Sequence, residues 1–162
     1  MEAIALEAGV TKPIVYARVG SRADLSDALA ERLGDRLLAA VNSQAVEDPT
    51  DRRALVTVFR TVLETIGASR EVFLYVTRGA ADDTPERALF LASRSAGPLA
   101  QWLALWLARD GRDQSLAEPW AYAIVGMINL VTLWWTQETD LPAVEVAEQL
   151  TELVWPGLRG RP

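Results

Sequence analysis

The first twenty residues contain the pattern that most restricts what this chain can fold into. A short apolar helix is predicted over residues 2–8, and Gly9 follows it as the residue of a tight turn. Thr11 offers a hydroxyl that can cap a second helix, which we expect to run from Thr11 to about Val19. Pro13 is tolerated in its first turn, because the N–H that proline lacks would be unpaired there in any case. Two short helices joined by a glycine turn are typical of a helix-turn-helix, a motif that binds DNA.

A third, longer helix is predicted directly after this motif. Gly20 ends the second helix, and Ser21 and Asp24 have nearly the spacing of a capping box, in which each residue satisfies a backbone N–H of the other. Residues 23–41 are amphipathic, with leucines spaced by four along one stripe. These leucines are Leu25, Leu29, Leu33 and Leu37. The stripe indicates a helix that packs against the rest of the protein on one side.

The remainder of the chain is also predicted to be helical, and no segment combines strand alternation with hairpin turns. Gly97 and Pro98 are expected to break or kink the helix that contains them. We therefore predict an all-α protein. A helix-turn-helix domain with the start of a linking helix would occupy residues 1–36, and a helical ligand-binding and dimerisation domain would occupy residues 37–162.

The composition argues against several classes of function. The net charge of −6 is unlike that of a general polyanion binder, although Lys12, Arg18 and Arg22 place positive charge at the amino end. The chain has no His and no Cys, so the commonest catalytic base and thiol chemistry are missing. There is no glycine-rich phosphate loop and no pair of carboxylates at a spacing that demands shared chemistry. We expect a protein without enzymatic activity, metal or cofactor, located in the cytoplasm because the sequence shows no signal peptide.

An uncharged run of nineteen residues, 119–137, admits three interpretations. Its length is close to that of a membrane span, but polar residues dilute it and no Lys or Arg flanks it to set an orientation. It can also be a helix buried within one subunit. The third interpretation, which we favour, is a helix covered on one side by its own domain and on the other by a second copy. Small residues such as Ala121 and Gly126 would let that copy approach closely.

The last predicted helix, over residues 142–155, supports dimerisation. Its apolar residues recur every three or four positions, and its glutamates form a stripe that would face solvent. Two such helices from each copy would form a four-helix bundle across a twofold axis. The expected interface residues are Ala123, Gly126, Leu130, Ala143, Val146, Ala147, Leu150 and Val154.

The segment EAGVTKPIVYARVGSRADL, residues 7–25, resembles the DNA-reading part of the TetR family of bacterial repressors. That family has Ala-Gly-Val, a Ser or Thr cap, an internal tyrosine and then Ser-Lys-x-x-Leu. The matching positions are 8–10, Thr11, Tyr16 and 21–25. Val19 stands where the family usually has an aromatic residue. The family's three-helix DNA-binding bundle begins with a helix that has no counterpart here, so the resemblance implies a truncated helix-turn-helix domain.

The resemblance also implies that the second helix reads operator DNA. The residues expected at the DNA are Thr11, Lys12, Pro13, Ile14, Tyr16, Ala17, Arg18 and Arg22. In the major groove, Lys12 can donate to guanine and Ile14 can contact a thymine methyl. Tyr16 resembles the family tyrosine whose hydroxyl donates to a phosphate. The family dimerises through its last two long helices, and a twofold dimer suits palindromic DNA because it offers two reading helices about one helical turn apart.

Large aromatic residues in the middle of the chain are candidates for the lining of an apolar ligand pocket. The candidate ligand-binding residues are Phe59, Phe73, Trp102, Trp106, Trp120, Asn129 and Trp134. Plain core packing is the alternative for each of them. The resulting hypothesis is a repressor that a small apolar ligand releases from DNA by favouring a conformation with wrongly spaced reading helices. The alternative is a dimeric helical protein that binds a small molecule without touching DNA.

Overall fold

A computed structural model describes the backbone of residues 1–44, 51–78 and 85–159, and their side chains except those of residues 78 and 85–95. Over these residues the chain forms eight α-helices and one short 3-10 turn, with no strand, which confirms the predicted all-α class. The helices are α1 Glu2–Glu7, α2 Lys12–Val19, α3 Arg22–Asn42, α4 Arg52–Gly67, α5 Arg70–Arg78, α6 Pro85–Arg109, α7 Ala117–Glu138 and α8 Ala143–Arg159, with the 3-10 turn at Gln114–Leu116 before α7.

The two glycines that separate the first three helices adopt backbone conformations that other residues rarely reach. Gly9 has φ 64° and Gly20 has φ 77°, so both lie in the left-handed range that glycine enters without steric cost. At Gly20 a side chain would also collide with its neighbour, because an added Cβ would lie 2.5 Å from a carboxylate oxygen of Asp24. The predicted helix boundaries at these two residues are therefore correct.

The caps of α2 and α3 differ from each other. At α3 the backbone N–H of Ser21 donates to Asp24 Oδ2 at 2.7 Å, and the N–H of Asp24 donates to Ser21 Oγ at 3.2 Å. This is the predicted capping box. At α2, Thr11 occupies the N-cap position with an extended backbone, but its hydroxyl accepts no capping hydrogen bond. The expectation that this hydroxyl caps α2 is therefore wrong.

Helix α3 connects the amino-terminal helices to the rest of the protein. Its stripe packs as predicted, with Leu33 buried beside Ile66 of α4 and Phe73 of α5. The same cluster includes Leu37 and, from α7, Leu133. The expected domain boundary after residue 36 falls within α3, so one continuous helix would join the two domains.

The main core lies among α4, α6, α7 and α8. Phe59 and Leu63 of α4 pack against Val146 and Leu150 of α8. A second cluster joins α6 to α7 and includes fully buried Leu103, Leu107 and Ala121. Helix α6 continues through Gly97 and Pro98, so of the two expectations, a break or a kink, the break is wrong. Packing of α6 on a neighbouring helix can outweigh the loss of one backbone hydrogen bond at the proline.

Helices α7 and α8 are joined at one end by a short turn. Trp135 Nε1 donates to the carbonyl of Leu141 at 2.7 Å, which ties this turn to α7. In the part of the chain that the structure describes, Gln114–Glu138 is long and apolar enough to cross a membrane by length and composition alone, with 28% of its most apolar window buried. Fully buried Ala121 and Thr132 place one side of α7 in the core, as expected of a helix that packs on its own domain.

Candidate functional site

Helix α2 is exposed to solvent along most of its length and has one buried residue. Val15 of α2 and Ala5 of α1 are each 5% exposed. All eight residues that sequence reasoning placed at the DNA are exposed. They are Thr11, Lys12, Pro13, Ile14, Tyr16, Ala17, Arg18 and Arg22. The two large apolar or aromatic members, Ile14 and Tyr16, are 48% and 46% exposed, so neither belongs to the core.

The inner side of the helix pair is only partly covered. Ile4 and Val10 are each 39% exposed, and Ala8 is exposed as well. Two short helices can cover only the residues that lie between them, which here are Ala5 and Val15. The apolar residues of α1 and α2 are therefore buried only in part.

The exposed face of α2 has the chemistry of a groove-reading helix. Lys12 lies at its start and Arg18 in its last turn, with apolar Ile14 and phenolic Tyr16 between them. No acidic residue occurs from Thr11 to Arg22, so the surface is positively charged in a chain whose net charge is negative. A helix of this kind offers donors for base acceptors and phosphates together with an apolar contact for the thymine methyl.

The first residue of α3 is linked to α5. The guanidinium carbon of Arg22 lies over the Tyr75 ring, 5.8 Å from its centre. Further along α3, Arg36 Nη1 donates to Ser69 Oγ at 3.3 Å, just before α5 begins. Sequence reasoning did not single out Tyr75, because nothing in its local pattern distinguishes it from other aromatic residues of a helical core.

The structure brings three of the seven candidate ligand residues together. The rings of Trp102 and Trp106 are stacked, with centroids 6.3 Å apart and planes 2° apart. The guanidinium carbon of Arg112 lies 5.5 Å from the centre of the Trp106 ring and 5.1 Å from that of Trp120. A small cleft of about 20 Å³ adjoins the stacked pair. It is lined by Leu55, Trp102, Trp106, Trp155 and Leu158.

The other four candidate ligand residues lie elsewhere. Phe59 is buried against α8, and Phe73 is buried against α3 and α4. Asn129 is half-buried on α7, and Trp134 is 45% exposed on the same helix. The seven residues therefore do not line one pocket, since helical spacing places aromatic residues on a face without showing which neighbour that face meets. Arg112 and Trp155, which do join the tryptophan cluster, were missed.

The candidate dimer residues divide into inner and outer sets. Val146, Ala147 and Leu150 are buried within the subunit against α4, so the expectation that they face a second copy is corrected. Ala123 and Leu130 are exposed, and Gly126, Ala143 and Val154 are half-buried. Large apolar side chains also remain exposed on α7 and α8. They are Leu130 and Leu153, each 71% exposed, Trp134 and Val144.

A shallow groove runs between α7 and α8 beside these exposed residues. Its volume is about 500 Å³, including the space open to solvent. Its lining consists of Trp120, Ala123, Ile124, Met127, Leu153, Val154, Gly157 and Leu158. This lining is apolar and includes Ala123 and Leu153, which are exposed, so the groove borders an exposed face of α7 and α8 that we call their outer face.

Comparison with known proteins connects both parts of the chain to one family. Residues 41–161 match the family model described as "Tetracyclin repressor-like, C-terminal domain". Two curated relatives, from the CDC 1551 / Oshkosh and H37Rv strains of Mycobacterium tuberculosis, are each described as an uncharacterized HTH-type transcriptional regulator. Each is 30% identical to this chain over 165 aligned positions, which cover 99% of this chain and 69% of the relative.

Two solved structures share the fold. The TetR family transcriptional regulator PfmR from Thermus thermophilus superposes with a TM-score of 0.68 at 23% identity, over 99% of this chain and 88% of that protein. A TetR-like transcriptional regulator from Rhodococcus sp. RHA1 gives a TM-score of 0.66 at 25% identity, over 99% of this chain and 84% of that protein.

Proposed function

The chain belongs to the TetR family of transcriptional regulators, and we propose that it is a cytoplasmic repressor that binds palindromic operator DNA as a homodimer and is released by a small apolar ligand. The family is one of regulators and not of enzymes. The observation that carries the proposal is that all the expected DNA-contacting side chains are exposed, on α2, at its N-cap and at the first residue of α3.

Each exposed residue of the reading helix has a distinct proposed contact. Lys12 donates to guanine O6 or N7, and Ile14 packs on a thymine methyl. Tyr16 and Arg22 donate to phosphates, and Arg18 reaches a base or the backbone. Thr11, Pro13 and Ala17 complete the surface that enters the groove, with Thr11 near the positive end of the helix dipole.

Dimerisation is proposed through the outer face of α7 and α8. This face presents Leu130, Trp134 and Leu153 to solvent, and Ala123 and Gly126 add little bulk on α7. Removal of exposed apolar side chains from water is favourable. A second copy related by a twofold axis covers it with the same surface, which produces a four-helix bundle.

The ligand is proposed to act on residues 37–162, and the DNA contacts belong to residues 1–36. The stacked pair of Trp102 and Trp106 and the apolar lining of the cleft beside it favour a flat or lipophilic ligand of low charge, for which this small cleft must widen. A ligand that binds better to a conformer with misplaced reading helices lowers DNA affinity by the ratio of its affinities for the two states. Helix α3 transmits the change, because it is continuous across the proposed boundary.

One observation favours a second candidate function. Ile4 and Val10, on the inner side of the amino-terminal helices, are each 39% exposed, so this pair has a weak core of its own. A helical dimer that binds a small molecule without engaging DNA is consistent with that. The two functions differ in whether a sequence-specific complex with duplex DNA forms.

Selection from a random pool of duplexes, followed by fluorescence anisotropy with the selected duplex, tests the proposal. We expect a palindrome whose half-sites are centred about 10 base pairs apart, bound by two protomers. The lipophilic ligand is then sought by quenching of tryptophan fluorescence and by release of the duplex. Selection of no duplex, with a ligand still bound, would favour the second function.

A further inference from the structure

We propose that Tyr75 of α5 is a positioning residue that holds Arg22 at the DNA surface. The inference rests on the proposed function, because it concerns the phosphate contact assigned there to Arg22. The guanidinium carbon of Arg22 lies 5.8 Å from the centre of the Tyr75 ring, above its face. That distance is within the range of roughly 6 Å over which the negative face of an aromatic ring attracts a cation.

The ring is the fixed member of this pair. Tyr75 is half-buried, whereas Arg22 is exposed. Two residues before Tyr75, Phe73 is buried with Leu33 of α3, and the start of α5 is joined to α3 by the hydrogen bond from Arg36 to the residue before that helix. Helix α5 is therefore held along α3 by its own core contacts, and the Tyr75 ring does not depend on Arg22 for its position.

The chemistry of the pair leaves Arg22 free to bind DNA. A guanidinium has five N–H groups, so those that do not point at the ring remain available to phosphate oxygens. An exposed arginine otherwise samples many rotamers and loses that freedom on binding. A ring that restricts Arg22 beforehand reduces this loss, so Tyr75 raises DNA affinity without contacting DNA.

The contact also joins the two proposed domains. Arg22 is the first residue of α3 and belongs to the DNA-binding part, whereas α5 belongs to the ligand-binding part. A displacement of α5 relative to the start of α3 separates the ring from the guanidinium. The phosphate contact of Arg22 then depends on the position of α5.

The test compares four variants on the duplex that the wild-type protein selects from a random pool, by fluorescence anisotropy at several salt concentrations. They are Tyr75→Phe, Tyr75→Leu, Arg22→Gln and the double variant of Arg22→Gln with Tyr75→Leu. Tyr75→Phe keeps the ring and is the matched control. Thermal unfolding checks that each variant folds, and Tyr75→Met replaces Tyr75→Leu if the latter does not.

We expect Tyr75→Leu to weaken binding roughly threefold to tenfold, and Tyr75→Phe to change it less than about twofold. In the Arg22→Gln background, Tyr75→Leu is expected to have an effect of less than about twofold, because the group that the ring holds is gone. Arg22→Gln itself reduces the slope of log affinity against log salt by about 0.9 for each phosphate that the protein no longer neutralises.

An equal loss from Tyr75→Leu in both backgrounds assigns Tyr75 a purely structural role and overturns the inference alone. Unchanged affinity in Tyr75→Leu shows that Tyr75 has no part in DNA binding and also overturns the inference alone. A wild-type protein that selects no duplex overturns the proposed function and this inference together. In the DNA-free protein, proton NMR should show a ring-current shift of the Arg22 δ protons that Tyr75→Phe keeps and Tyr75→Leu removes. Absence of that shift from the wild-type protein overturns the inference whatever the DNA result.

Discussion

The guanidinium of Arg112 lies 5.1 Å from the centre of the Trp120 ring and, on another side, 5.5 Å from that of Trp106. The same guanidinium donates to the carbonyl of Leu158 and, at 3.2 Å, to that of Gly157. These carbonyls belong to the last turn of α8, where backbone acceptors have no partner within the helix. One arginine in the α6–α7 connection therefore caps α8 and packs between indoles of α6 and α7.

Replacement of Arg112 by methionine should lower the free energy of unfolding by about 2 kcal/mol, since charge-assisted hydrogen bonds and the interactions with two rings disappear together. For a chain of this length, that change corresponds to a fall in Tm of roughly 4–8 °C. Urea or thermal unfolding followed by circular dichroism measures it. Arg109→Met, at an exposed arginine three residues earlier, is the control. Equal stability of the two variants would contradict the capping role.

Two threonines, each 0% exposed, form a natural matched pair. The hydroxyl of Thr151 donates to the carbonyl of Ala147 at 2.8 Å, whereas that of Thr132 has no hydrogen-bond partner among the described residues. A buried hydroxyl without a partner costs free energy, and valine has nearly the same shape without the hydroxyl. We expect Thr132→Val to raise the free energy of unfolding by about 1 kcal/mol and Thr151→Val to lower it by a similar amount. Chemical denaturation of both variants measures these two changes. A loss of stability in Thr132→Val would contradict the proposed cost of its unpaired hydroxyl.

Local patterns in the sequence predicted local structure well. Gly9 and Gly20 end helices because they accept positive φ, and the Ser21–Asp24 capping box depends on residues three positions apart. Such features are governed by neighbours in the chain, so a single sequence contains them. Thr11 shows the limit even here, because a suitable cap residue can occupy its position without making the hydrogen bond.

Contacts between distant segments were not predictable in the same way. The spacing of Val146 and Leu150 correctly placed them on an apolar face of α8, but both sides of the bundle are apolar, and the sequence does not show which side α4 covers. Arg112 lies between two tryptophans that precede and follow it by six and eight positions. Only the path of the connection between α6 and α7 brings these groups together.

The proposed dimer interface makes Leu130 and Leu153 critical for assembly. Each is 71% exposed in the subunit, and glutamate at either position would place a charge in the interface of both copies. Burial of an unpaired charge costs several kcal/mol, so Leu130→Glu and Leu153→Glu should be monomeric at micromolar concentration by sedimentation velocity. Leu105→Glu, at a leucine of α6 that is 67% exposed, is the control and should behave as the wild type. A dimer in all three variants would place the interface elsewhere.

The Asp113 carboxylate is expected to titrate below its ordinary value. The Ser115 backbone N–H donates to it at 2.9 Å and the Ser115 hydroxyl at 2.7 Å, and these bonds lower the pKa of Asp113 from 3.8, the backbone bond having the larger effect. These hydrogen bonds therefore stabilise the folded state at pH values above the pKa of Asp113 in the unfolded chain. That stabilisation is lost as the pH falls through the lower pKa of the folded protein. In a carbon-13 NMR titration, Ser115→Ala should raise the pKa of Asp113 only part of the way back. A return to the ordinary value would mean that the backbone bond contributes nothing.

The last prediction concerns the DNA sequence that α2 prefers. Tyr16→Phe removes a hydroxyl proposed to contact phosphate, so it should weaken binding to the selected duplex and to random DNA by a similar factor, about tenfold. Lys12→Ala and Ile14→Ala remove proposed contacts to base edges, and each should also change the preferred base at one position, with a loss of discrimination of about 1–3 kcal/mol. A repeated selection with each variant measures the preference, and anisotropy measures the affinity. All three side chains are exposed, so their replacement is not expected to unfold α2. Equal losses on selected and random DNA for all three variants would show that α2 binds the backbone without reading bases.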